Sequence, residues 1–151
     1  MSSRRNLLKT PHVVHVCVYH VVWATKYRRK VLDLRNTPNG PTVSDRLKQI
    51  VEEIAGENQW RVRAIETMPD HVHLFVQADN VTSPRELANA FKGATSRILR
   101  NEFPGLRRRL PSLWTRSYFV ATAGDVSAAA IQAYVENQRV RPTDPPGEGW
   151  A

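Results

Sequence analysis

Two histidines and one tyrosine are the residues of this chain best suited to chemistry. The stretch 68–76 reads Met-Pro-Asp-His-Val-His-Leu-Phe-Val. Pro69 and Asp70 make a turn, and the alternation that follows is that of a strand, with His71 and His73 on one face and Val72, Leu74 and Val76 on the other. Two imidazoles side by side can reach one divalent cation or one phosphate oxygen. The competing explanation is a pair of half-exposed strand residues satisfied by hydrogen bonds. Far along the chain, Tyr134 and Gln138 stand four residues apart and share a helical face, beside an apolar stripe of Ala128, Ile131 and Val135. A tyrosine at such an edge usually packs into the core; beside two histidines in a basic domain it is also a candidate nucleophile.

The elements that must position these residues can be read in order. Residues 13–23 are rich in Val, Tyr and Trp with apolar side chains on both faces, the pattern of an interior strand. Lys26-Tyr27-Arg28-Arg29-Lys30 follows, a charge run that is either a solvated face or a set of phosphate contacts with Tyr27 placed to stack on a base. Residues 36–41 form a loop. Thr42 and Asp45 fit a capping box, and Leu47, Ile50, Val51 and Ile54 recur at helical spacing up to Gly56. Residues 60–67 read as a strand joined to the histidine strand in a hairpin. Ser83-Pro84-Arg85-Glu86 opens a second helix, with Leu87, Ala90, Phe91, Ala94 and Ile98 as its buried stripe and Lys92, Ser96, Arg97 and Arg100 as a basic ridge. Arg107-Arg108-Arg109 follows once Pro104 and Gly105 have broken that helix. Residues 113–123 read as a fourth strand and 127–139 as a last helix, with Gly124-Asp125 a mobile junction between them.

This order predicts an α+β fold of the ferredoxin-like or RRM-like kind: an antiparallel sheet with helices on one face, the histidines on an open opposite face, and a C-terminal helix carrying the tyrosine. Residues 1–12 would be a basic leader, 13–139 a single domain, and 140–151 a proline- and glycine-rich tail. With 22 Lys and Arg against 14 Asp and Glu, the net charge of +8 favours a polyanionic partner such as nucleic acid. No run approaches the roughly 20 apolar residues of a membrane span. The single cysteine, Cys17, excludes an internal disulfide and suits a cytoplasmic protein, nucleoid-associated when bound to DNA.

Tyr19-His20-Val21-Val22-Trp23 through Arg28-Arg29-Lys30, Pro-Asp-His-Val-His at 69–73, Phe91-Lys92-Gly93 with Ser96-Arg97, Leu113-Trp114 to Tyr118-Phe119-Val120, and Tyr134-x-x-x-Gln138 occur in this order. In this the chain resembles the single-tyrosine HUH transposases of the insertion-sequence 200/605 type, the IS200-like transposase family. The resemblance implies a transposase that cleaves and rejoins single-stranded DNA through a covalent 5′-phosphotyrosine on Tyr134. It further implies Mg²⁺ or Mn²⁺ held by His71, His73 and Gln138, although imidazole alone would also suit zinc. Hairpins at the ends of the element would be bound, and a homodimer would form composite active sites, the tyrosine helix of one subunit completing the histidine site of the other. Lys26, Tyr27, Arg28, Arg29, Lys30, Lys92, Arg97 and Arg100 are the candidate DNA contacts. The alternative is a domesticated or inactive relative that only binds DNA hairpins or single-stranded nucleic acid. A replication initiator or relaxase would share the histidines and tyrosine but is usually larger.

Overall fold

The computed structural model describes residues 8–10, 13–15 and 17–124. Two short strands, β1 (Leu8–Thr10) and β2 (Val13–His15), pair with each other in a separate antiparallel ladder. The single long strand expected over 13–23 is therefore divided, and its second part, β3 (Cys17–Ala24), enters the main sheet. Then come α1 (Val43–Glu57), β4 (Arg61–Met68), β5 (His71–Ala78), α2 (Pro84–Glu102), a short α3 (Pro104–Arg109) and β6 (Phe119–Gly124). The four-stranded sheet has the order β4-β5-β3-β6, antiparallel throughout. From β3 to β6 the chain runs strand, helix, strand, strand, helix, strand, and the third strand of that set lies beside the first. This is the ferredoxin-like arrangement, and it puts β3 and β5 at the centre.

Local sequence accounts for the helices. At α1, Thr42 accepts from the Asp45 amide and the Asp45 carboxylate accepts from the Thr42 amide; at α2, Ser83 and Glu86 repeat the exchange, with Pro84 in the first turn. Each box satisfies amides that a helix start otherwise leaves bare. Both helices cover one face of the sheet. Leu47, Ile50 and Val51 of α1 and Leu87 and Phe91 of α2 meet Tyr19, Val21 and Trp23 of β3 and Val72, Leu74, Val76 and Ala78 of β5 in one core.

Two expectations need correction. The strand expected over 113–123 is shortened: Trp114 makes only an isolated antiparallel bridge with Thr25, and β6 begins at Phe119. The Lys92 ammonium reaches down from α2 to the carbonyls of Thr115 (2.7 Å), Arg116 (3.1 Å) and Ser117 (3.4 Å), which occupies acceptors that a sheet ladder would need. Trp114 instead anchors the segment, edge-on to Trp23 with ring centres 5.9 Å apart and its indole N–H donating to Thr95 Oγ1 at 3.0 Å. The histidine face of the sheet is also not open, since all eight residues of β5 are buried. A central strand is flanked on both sides, and here the flanking and diagonal positions of that face carry Val22, His20 and Glu66. The last helix expected over 127–139, with Tyr134 and Gln138, lies outside the described residues.

Candidate metal centre on the histidine strand

The turn at Pro69-Asp70 starts β5, and the pleat sends His71, His73, Phe75 and Gln77 away from the helices. In the ladder His71 lies between Ala24 and Met68, and His73 between Val22 and Glu66. The two imidazole rings are 5.1 Å apart at 72° and are 8% and 4% exposed. Two rings at this spacing can be brought to one ion.

Each ring is oriented from behind through Nδ1. His71 Nδ1 lies 2.7 Å from Asp70 Oδ1, and because a carboxylate only accepts, the proton sits on Nδ1 and the lone pair on Nε2. Asp70 is itself held by Arg28, whose Nε and Nη2 lie 3.2 and 3.0 Å from Oδ2. A carboxylate behind an imidazole is the usual device that sets a ligating histidine's tautomer. His73 Nδ1 lies 3.1 Å from Nε2 of His20, a β3 residue that the sequence placed only within a motif and not in the site. His20 stacks flat on Phe75, ring centres 4.4 Å apart at 2°, with Phe119 edge-on at 5.9 Å. No periodicity within β5 could reveal His20. The signal was its own strand alternation: His20 falls on the face opposite Tyr19, Val21 and Trp23, the face that β5 fills with its histidines.

Burial disfavours the charged form of all three rings. Desolvation lowers His20 from 6.5 to about 4, and desolvation with the neighbouring His71 and His20 lowers His73 to about 3. His71 is lowered too, by desolvation first, with Asp70 opposing and Arg28 adding. Neutral imidazole is the form that ligates metals. Among the described residues no three His, Cys, Asp or Glu side chains gather as a ligand set, so His71 and His73 are the described part of any metal site. Two neutral nitrogen donors with no thiolate fit a labile divalent ion.

The basic turn beside the site is built under strain. Tyr27 and Arg28 both have left-handed backbones, φ 59 and 54, which for residues with a Cβ costs roughly 1–2 kcal/mol each. Bonds from the Thr25 amide to the Asp70 carbonyl (2.9 Å), from Thr25 Oγ1 to the Arg29 carbonyl (2.7 Å), and from the Leu32 amide to the Pro69 carbonyl (3.0 Å) hold it against the histidine turn. The result turns Arg28 inward onto Asp70 and leaves Tyr27 66% exposed. Arg28 is thus paired with Asp70, and Lys92 with the 115–117 carbonyls. Burial lowers the Lys92 ammonium to about 8. Arg100 is half-buried with Nη2 3.4 Å from the Leu110 carbonyl, Lys26 is half-buried, and Arg29, Lys30 and Arg97 are exposed. Arg107, Arg108 and Arg109 are exposed on α3.

With this geometry in place, the comparisons are specific. A family profile described as IS200-like transposase matches residues 13–138. The ISDra2 transposase TnpA of Deinococcus radiodurans is 36% identical over 127 residues, covering 83% of this chain and 86% of that protein. The transposase of insertion sequence element IS200 from Salmonella typhimurium is 28% identical over 126 residues, covering 81% and 76%. A crystal structure of a transposase from Deinococcus radiodurans superposes with a TM-score of 0.67 at 38% identity, covering 87% of this chain and 97% of that one. A REP-associated tyrosine transposase, solved bound to a REP hairpin, shares the fold with a TM-score of 0.50 at 12% identity, covering 95% and 75%.

Proposed function

The chain belongs to the IS200-like transposase family, and from that premise we propose that it cleaves and rejoins single-stranded DNA at the ends of an insertion sequence, with Tyr134 as nucleophile and His71, His73 and Gln138 holding Mg²⁺ or Mn²⁺. The observation that carries this reading is the pair of buried imidazoles on β5, His71 held by Asp70 and His73 meeting His20, each through Nδ1. A bound divalent ion would supply the positive charge that polarises the scissile phosphoryl group.

The remaining work falls to the chain. Asp70 and Arg28 hold the His71 ring in place, and burial keeps both rings from taking up protons at neutral pH. The Tyr134 oxygen attacks phosphorus, a new P–O bond to the phenol forms as the bond to the 3′-oxygen breaks, the phenol proton is released, and the departing oxygen is protonated to a 3′-hydroxyl. The phosphodiester is exchanged rather than hydrolysed, so rejoining to another 3′-hydroxyl needs no nucleotide. A free phenol has a pKa of about 10, so it requires the positive field of the site to ionise. Tyr27, Arg29, Lys30 and Arg97, all exposed, are the DNA contacts this reading retains; affinity for DNA should fall steeply with salt. The same reading makes the protein a homodimer with the tyrosine helix of one subunit serving the histidines of the other.

The deciding experiment incubates the protein and Mg²⁺ with a 3′-labelled single strand copied from the DNA that flanks the gene. The wild type should yield a labelled adduct stable on a denaturing gel, and Tyr134→Phe none. An adduct that survives in Tyr134→Phe excludes this nucleophile.

A further inference from the structure

His20 is the third imidazole of the face, and the proposed ligand set does not use it. Its contact with His73 joins two nitrogens, His20 Nε2 and His73 Nδ1, at 3.1 Å. A neutral imidazole carries one N–H and one lone pair, so exactly one ring of the pair donates in this bond. If His20 donates, the His73 lone pair is spent at Nδ1 and its proton sits on Nε2, which then cannot ligate. If His73 donates, its lone pair is on Nε2, and His20 carries its own proton on Nδ1.

Resting on the function proposed above, we infer that His20 is the positioning residue that accepts from His73 Nδ1–H and thereby gives His73 the same tautomer that Asp70 gives His71. The two ligands are then matched in the nitrogen they offer but differ in what stands behind them, a carboxylate for His71 and a neutral ring for His73. The local packing explains why a ring serves here. His20 is sandwiched into the sheet face by Phe75 stacked at 4.4 Å and Phe119 at 5.9 Å, so a flat side chain keeps its acceptor aimed along the sheet. The register makes the contact possible: His20 lies directly across from Phe75, and His73 is the diagonal neighbour two residues before it.

Long-range ¹⁵N–¹H spectra of the metal-free protein read the tautomer directly. His73 should be the Nδ1–H form in the wild type and should shift toward Nε2–H in His20→Phe, which preserves the stack but has no acceptor. In Mn²⁺ titrations followed by electron paramagnetic resonance, His20→Phe should bind at least about tenfold more weakly with an unchanged Tm. His20→Gln, whose amide oxygen can occupy the place of Nε2, should restore most of the affinity. An Nε2–H tautomer for His73 in the wild type overturns the inference, whether or not the variant folds, and so does wild-type Mn²⁺ affinity in His20→Phe. His71→Ala separates the two levels: if it too binds Mn²⁺ normally, the metal site itself is wrong; if it loses Mn²⁺ while His20→Phe does not, only the role of His20 falls.

Discussion

On one side of β5, Val72, Leu74, Val76 and Ala78 are sealed beneath α1 and α2; on the other, His71, His73, Phe75 and Gln77 are buried almost as completely. The first set is interchangeable in kind, because apolar contacts have no direction and any side chains of the right volume would fill the space. The second set is directional. Each of the two histidines is met at Nδ1 by another side chain, and a change of partner changes which nitrogen carries the lone pair. Equal burial therefore conceals different purposes, and the polar side tolerates burial partly because each histidine is hydrogen-bonded at Nδ1.

The largest effect expected from breaking this contrast is on activity. His73→Phe fills the same space without a ligating nitrogen, so adduct formation should fall by roughly a thousandfold or more, the several kcal/mol a metal ion supplies, while the thermal midpoint moves little. A matching collapse of the Tm would mean that the polar side serves the fold. Leu74→Ala is the mirror experiment on the helix side: it should cost about 2–5 kcal/mol in denaturant unfolding, and residual folded protein should still form the adduct.

Smaller effects sharpen the picture. Lys92 was expected on the DNA, yet it straps residues 115–117 to α2. Lys92→Met should therefore lower stability by about 1–3 kcal/mol, the cost of stranding carbonyls, and should weaken binding to single-stranded DNA less than Arg97→Ala does in a fluorescence titration. The reverse order would return Lys92 to the interface. A further effect is that of pH. His20 and His73 titrate near 4 and 3 when folded against 6.5 when unfolded, so below 6.5 the unfolded chain binds more protons than the folded one. Their contribution is complete above pH 6.5 and declines as pH falls toward 4 and 3. Melting curves between pH 7 and pH 4 should show this loss, and His73→Phe should flatten it; an equally steep decline in that variant would assign the effect to other groups.

Much of this arrangement was legible without coordinates, for reasons of range. The capping boxes at Thr42 and Ser83 act over three residues, and the alternation of 71–76 acts over two, so both can be read from neighbours in the chain. The strand expected over 113–123 begins only at Phe119 because the β-prone composition of 115–117 was overridden by a cation on a helix about 25 residues earlier. Arg28 looked like one more solvated charge because its partner, Asp70, lies 42 residues away.

By itself, the order of residues determined that a proline turn starts a strand, that His71 and His73 share its face, and that two capped helices cover the other, because periodicity and capping are local. Only the tertiary structure decided that His20 meets His73, that Arg28 stands behind Asp70, and that Lys92 binds carbonyls, since each depends on strand register and on contacts between distant segments. A hydrogen bond requires its partners within about 3 Å in a set direction, and no local pattern of side chains encodes which distant atom will arrive there.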